Sequence, residues 1–189
     1  MTVKLNSSNT LYTGRVFQLV RENITLPNQV TVNLDVIRHP GAAAIVALSD
    51  KKDIVMVRQY RHAIGDFIWE IPAGTLDPNE THLNCARREL AEETGFSAKN
   101  WKKIGEIVPV PGYSDERILL YLATELCEVG RHPEQDEYLS VHMISFDHAV
   151  NMIYKGDICD AKTISGLFMA MKTFENNHGN AGIKKDSIR

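Results

Sequence analysis

The chain has 189 residues, 43% of them hydrophobic and 24% charged, with a net charge of -3. That balance describes a single soluble globular domain with at most a small appendage, and it excludes a global basic footprint for nucleic acid. Cys85, Cys127 and Cys159 form no CxxC pair and suit a reducing cytoplasm, the start MTVKLNSSNTLYTG has no signal-peptide core, and no apolar run is long enough to span a membrane.

In chain order, residues 15–25 and 29–37 read as two strands around Pro27 and Asn28. The second alternates cleanly, with Val30, Val32, Leu34 and Val36 on one face and Thr31, Asn33 and Asp35 on the other, the pattern of a half-buried strand. Pro40 and Gly41 are a breaker pair, so residues 1–40 are expected to form a small antiparallel β unit. Strands follow at 42–48 and 54–57, then a short one at 67–71 ending at Pro72. A helix is expected over 81–94, with Thr81 as N-cap and Gly95 as its stop. Residues 104–108, 118–124 and 138–144 read as further strands, and 147–154 and 160–175 as helices. The last helix places Ile164, Leu167, Phe168, Met171 and Phe174 at core-facing spacing. Residues 176–189 are polar and read as a mobile tail. The seven histidines form no HxxxH or HExxH pair. The whole reads as α+β, with a main domain over 41–175 built on a mixed sheet.

The run GTLDPNETHLNCARRELAEETGF, residues 74–96, crowds Glu89, Glu92 and Glu93 together. On a helix these three project to one side, and like charges there repel. Leu83, Ala86 and Leu90 form an apolar stripe opposite them. Arg88 can neutralise one carboxylate, with Glu92 at i+4 the expected partner. Glu89 and Glu93 then remain one turn apart, which suits a hard divalent cation that takes few carboxylates and keeps several waters. A solvated acidic helix face is the alternative.

Counted from Gly74, the fixed positions are Glu80, Arg88, Glu89, Leu90, Glu92, Glu93, Gly95 and Phe96. They match throughout the Nudix box, G-x5-E-x7-R-E-U-x-E-E-x-G-U with U a bulky apolar residue. The chain therefore resembles the Nudix hydrolase family. The resemblance implies a mixed β-sheet sandwiched between helices, and metal-dependent hydrolysis of a nucleoside diphosphate linked to another moiety, with Mg²⁺ or Mn²⁺ as cofactor. It implies Glu89, Glu93 and the Ala73 carbonyl as metal ligands, Glu92 as a further ligand or orienting group, and Arg88 as the group holding the carboxylates. Glu80 would be structural, near the helix start where a carboxylate suits the dipole.

Within the family, VRQYRHAIGDFIWEIPAG resembles the QYR…E-x-P-A-G pattern of ADP-ribose and ADP-sugar pyrophosphatases, at Gln59–Arg61 and Glu70–Gly74. By that resemblance Arg61 and Glu70 belong to the substrate site, and Arg61 offers fork-shaped donors and a permanent charge. Pro111, sixteen residues after Gly95, is typical of the same group; Tyr113 and Ser114 share its loop and could touch the distal ribose or stiffen the loop. The stretch EQDEYLSVHMISFDHAVNMIYKGDICDAKTISGL resembles the group's C-terminal pattern. Its acidic loop implies Glu137 as general base or additional metal ligand. Gln135 departs from the second glutamate of some relatives, leaving Glu134, Asp136 and Glu93 as other bases.

The group's N-terminal β unit swaps across a homodimer and lines the adenosine site, so a homodimer is implied. Tyr12, Phe17, Phe67 and Trp69 are candidates for adenine stacking or for core. The expected substrate is a nucleotide sugar, ADP-ribose or a related ADP-sugar, with GDP-mannose or another nucleoside-diphosphate sugar as the alternative. A non-catalytic nucleotide-binding module is the distant alternative, set against the retention of every box glutamate.

Overall fold

The computed structural model describes residues 2–131 and 138–179. Glu134, Asp136 and Glu137, and the end of the chain from 180, lie outside the described residues.

The chain opens with a three-stranded antiparallel meander: β1 (Lys4–Thr13), β2 (Gln18–Thr25) and β3 (Thr31–Arg38). β1 is not visible in the sequence, because KLNSSNTLYT has no apolar alternation. It is held by ladder bonds and by polar cross-strand pairs. Asn6 Nδ2 donates to Asn23 Oδ1 and Thr25 Oγ1 of β2 (both 2.9 Å), and polar pairs continue from β2 to β3 through Asn23 Nδ2 on Asn33 Oδ1 (2.7 Å) and Arg21 on Asp35 (2.7 Å). On the face of β3 expected to be buried, Val32 and Val36 are half-buried, whereas within one chain Leu34 is 45% exposed and Val30, just before the strand, 49%. The meander docks through its last residues. Ile37 N–H donates to Tyr113 O (2.7 Å), Asp115 N–H to Ile37 O (3.2 Å), and Arg38 pairs with Asp115 (2.9 Å).

The central sheet has the order β7-β4-β9-β8. β4 (Ala42–Ala47) runs parallel to β9 (Ile118–Glu128) and antiparallel to the short β7 (Ala73–Thr75), while β8 (Phe96–Ile107) pairs antiparallel with β9. A second sheet has the order β10-β5-β6, from β5 (Asp53–Arg61), β6 (Asp66–Glu70) and β10 (Leu139–Ser145).

Every residue of β4 is buried, as expected for a strand covered on both faces. Its period of two divides the core. Ala42, Ala44 and Val46 join Ile54, Met56, Ile71, Leu120 and Leu167. Ala43, Ile45 and Ala47 join Cys85, Ala86 and Leu90 of α1 (His82–Thr94). The first cluster also takes Phe146 and Met152 from α2 (Phe146–Lys155) and is covered by α3 (Ala161–Gly179). Gly166 lets α3 lie against the sheet: a Cβ there would come within 2.9 Å of Ile71 and 3.2 Å of Val46. Leu167 is fully buried, and Ile164 and Met171 pack against the same cluster. α3 continues to Gly179, so the tail expected from 176 begins as helix. The architecture is α+β, a mixed sheet with helices on both faces.

Candidate active site

The site is built around residues 70–74, which leave β6, turn at Pro72 and form β7. α1 follows. Thr81 Oγ1 accepts from the Asn84 N–H (3.3 Å), which caps its first turn. Gly95 ends it at φ 77°, with its N–H on Ala91 O. Leu90, Ala86 and Cys85 are fully buried against the sheet, which turns Glu89 and Glu93 toward β7.

Glu93 is 2% exposed and accepts from the Ala73 N–H at 3.1 Å. Glu89 is 8% exposed and lies over Gly74, where a Cβ would sit 1.8 Å from its Oε1. Only glycine leaves room for that carboxylate. Arg88 ties the wall together. Its Nε and Nη2 hold both oxygens of Glu80 (3.0 and 2.9 Å), Nη1 reaches Glu89 (2.6 Å) and Glu92 (3.2 Å), and Nη2 also donates to Thr75 O (3.1 Å).

The pairing of Arg88 with Glu92 expected from i+4 spacing forms at 3.2 Å, but Glu80 and Glu89 share the same guanidinium. Glu80 takes the bidentate contact, because the loop before α1 folds back over the arginine, and Glu92 has the longest carboxylate hydrogen bond of the three. Hydrogen bonding from Arg88 holds the Glu80 carboxyl below its usual range, and the same bond keeps the Arg88 guanidinium firmly protonated. Behind the wall, burial and then the charges of Glu89 and Glu80 push the Cys85 thiol up to about 12. It remains a neutral donor, 3.4 Å from Gly74 O, and is no thiolate ligand.

An arginine–lysine pole, set on two carboxylates, stands at the ends of β5 and β6. Arg61 Nε and Nη2 clasp the two oxygens of Glu70 at 2.7 and 2.8 Å. Glu70 is 1% exposed and also pairs with Lys162. Burial would raise the Glu70 carboxyl, but the Arg61 hydrogen bonds and the Lys162 charge outweigh it and leave it below the ordinary range. Lys162 lies 3.1 Å from Asp160 as well. Asp160 caps α3 by accepting from Thr163 N–H (2.9 Å) and Oγ1–H (2.6 Å), and Thr163 Oγ1 in turn accepts from Ile71 N–H (2.9 Å).

Between wall and pole lies a cleft of about 1070 Å³, a volume suited to a nucleotide-sized ligand. Of the residues singled out in the sequence, Arg61, Ala73, Gly74, Glu80, Arg88, Glu89 and Glu92 line it. Glu93 stands behind Ala73 and Glu70 beneath Arg61. Pro111 is exposed and is not part of the lining, whereas Pro109 is. Ser114 is buried and spends its Oγ on the Glu116 N–H (3.1 Å), beside the docked end of β3. Tyr12 and Phe17 pair at the β1–β2 hairpin, Phe67 packs on Tyr60 and Tyr138, and Trp69 on His142; none lines the cleft. Sequence reasoning missed Asp160 and Lys162 as site residues, although an Asp three before a Thr signals a helix cap. It also missed Arg15, Val16 and Glu116, which line the cleft without any local signal.

Among the described residues no three His, Cys, Asp or Glu side chains converge as a metal cage. The wall instead offers carboxylates and backbone beside open volume. Such all-oxygen donors fit a Mg²⁺-like cation that keeps most of its waters.

The NUDIX domain profile matches residues 38–166. The chain is 41% identical over 167 residues to an ADP-ribose pyrophosphatase of Mycobacterium tuberculosis (strain ATCC 25618 / H37Rv), covering 85% of this chain and 79% of that protein. It is 37% identical over 155 residues to an ADP-ribose pyrophosphatase of Bacillus subtilis (strain 168), covering 81% and 84%. Its fold is similar to that in a crystal structure of an ADP compounds hydrolase, with a TM-score of 0.82 at 19% identity over 94% of this chain and 96% of the other. With the box residues gathered on one wall of its cleft and a matching domain over most of its length, the chain belongs to the Nudix hydrolase family.

Proposed function

We propose that this enzyme hydrolyses the diphosphate of ADP-ribose and related ADP-sugars to AMP and a sugar phosphate, using Mg²⁺ or Mn²⁺. The observation that carries the reading is the opposition of a carboxylate wall to an arginine–lysine pole across one nucleotide-sized cleft. The ADP-ribose pyrophosphatase relatives support the choice of substrate.

In this reading Glu89 and Glu93, with the Ala73 carbonyl and Glu92 beside them, hold the cation. When bound, it neutralises the diphosphate and supplies Lewis acidity at phosphorus. Arg88 fixes the carboxylates in position through its bonds to Glu80, Glu89 and Glu92. Arg61, oriented by Glu70, binds non-bridging oxygens and stabilises charge that develops on them. Glu137 removes the proton of the attacking water. Pro111 and Ser114 shape the loop that abuts the N-terminal sheet.

Residues 1–40 act as a unit that assembles a homodimer. The exposed apolar residues of that sheet, Val3, Leu5, Leu11, Val30 and Leu34 among them, support this. No described helix is long and apolar enough to cross a membrane. The three cysteines are unpaired, which suits the cytoplasm.

The test is a Mg²⁺-dependent screen of ADP-ribose, ADP-glucose, GDP-mannose and dinucleotides, with products identified. AMP and ribose 5-phosphate from ADP-ribose are expected. Preferential turnover of GDP-mannose would replace the substrate, and nucleotide binding without turnover of any member would replace the catalytic reading.

A further inference from the structure

Lys162 stands at the first turn of α3, with its side chain 12% exposed and paired to both Glu70 and Asp160. Glu70 is already clasped by Arg61 through Nε and Nη2. A bidentate arginine–carboxylate pair is nearly neutral as a unit, so Glu70 alone would cancel the charge that Arg61 brings to the cleft. Asp160, committed to capping α3 through Thr163, adds a second negative charge on the same side. Without Lys162, the pole would set one cation against two carboxylates and would repel an anion. With Lys162 the charges balance. Nη1 of Arg61 then has no hydrogen-bond partner among the described residues, on a side chain that lines the cleft.

We propose that Lys162 is a positioning residue for the diphosphate: seated on Glu70, it offsets that carboxylate and leaves the Arg61 fork oriented and electrostatically available to the substrate. The adjacent bond from Ile71 N–H to Thr163 Oγ1 holds α3 in register with the end of β6, so the lysine meets Glu70 at a fixed place. The proposal rests on reading the cleft as a diphosphate site.

The test uses full-length Lys162→Met, Lys162→Arg, Glu70→Gln and the Lys162→Met/Glu70→Gln double variant. Two readouts are taken: steady-state kinetics with ADP-ribose and Mg²⁺, and calorimetric binding of magnesium pyrophosphate. The second needs no turnover, so it survives if the assigned substrate is wrong. Lys162→Met is expected to raise KM and the pyrophosphate Kd about tenfold and to lower kcat as well, since Arg61 also stabilises charge that develops in the reaction. Lys162→Arg restores both constants. The double variant falls short of the sum of the single effects, because both residues act through Arg61. Unchanged KM and Kd in Lys162→Met would overturn the proposal. So would a loss that Lys162→Arg does not restore and that adds fully to Glu70→Gln, since that pattern belongs to a structural role. Absence of pyrophosphate binding to the parent enzyme would overturn it too.

Discussion

Gly74 and Glu89 claim the same space: a methyl group on Gly74 would lie 1.8 Å from Glu89 Oε1 and 2.0 Å from its Cδ. Arg88 holds that carboxylate at 2.6 Å, so moving it aside breaks a charge-assisted hydrogen bond on the cleft wall. Gly74→Ala is therefore expected to displace Glu89 and lower kcat by at least about a hundredfold, on the scale by which small misplacements degrade catalysis. The Mg²⁺ concentration for half-maximal rate should rise with it. A Mg²⁺ titration of activity checks this, and a variant with parental kcat and Mg²⁺ dependence would show that the carboxylate's place is unimportant.

Glu93→Gln keeps the side-chain shape and the bond from the Ala73 N–H but removes the charge. Turnover should fall by about a hundredfold or more if this oxygen holds the cation. Turnover near the parental rate would remove Glu93 from the ligand set.

Arg88→Lys preserves charge and loses the fork. One ammonium cannot replace contacts to Glu80, Glu89, Glu92 and the Thr75 carbonyl together. We expect a stability loss of about 1–3 kcal/mol, the range for charge-assisted hydrogen bonds. Activity should fall further than stability alone accounts for. Urea denaturation alongside kinetics separates the two, and a parental urea midpoint would refute the structural part.

The carboxyls of Glu70 and Glu80 are held below the ordinary 4.5 in the folded chain. A depressed folded value means that the unfolded chain binds protons first as pH falls. Their contribution to stability is thus fully present above about pH 4.5, and it is lost as pH drops through the depressed values. Urea midpoints at pH 7 and pH 3 should differ, and Glu70→Gln should flatten that difference. An undiminished pH dependence in Glu70→Gln would exclude Glu70 as a contributor.

Cys85 is buried with its thiol pushed up to about 12, while Cys127 and Cys159 are exposed. An aromatic disulfide reagent at pH 8 should titrate two thiols quickly and the third only on unfolding. Three fast thiols would mean that α1 opens readily from the sheet.

Much of the acidic wall is legible in the sequence because it is local. Helical spacing puts Glu89, Glu92 and Glu93 on one side, and Thr81 and Gly95 mark the ends. The Arg88–Glu80 contact is not legible by the i+4 rule, since it crosses a loop whose course depends on packing. The arginine–lysine pole is harder still. Lys162 and Glu70 stand 92 positions apart, and they meet only because α3 lies flat on β4 through Gly166. β1 escapes detection for another reason: its polar side chains pair across strands, so hydrophobic alternation carries no signal.

Residues 70–74 serve both sides of the cleft. Glu70 seats the pole, the Ala73 N–H holds Glu93, and Gly74 makes room for Glu89. This short segment, bent at Pro72, sets the separation between the arginine–lysine side and the carboxylate side of the cleft. One residue added or removed there would carry the Ala73 N–H and Gly74 out of register with Glu93 and Glu89 while Glu70 kept its place on Arg61. The spacing of the two sides of the cleft is thereby written into a stretch of main chain.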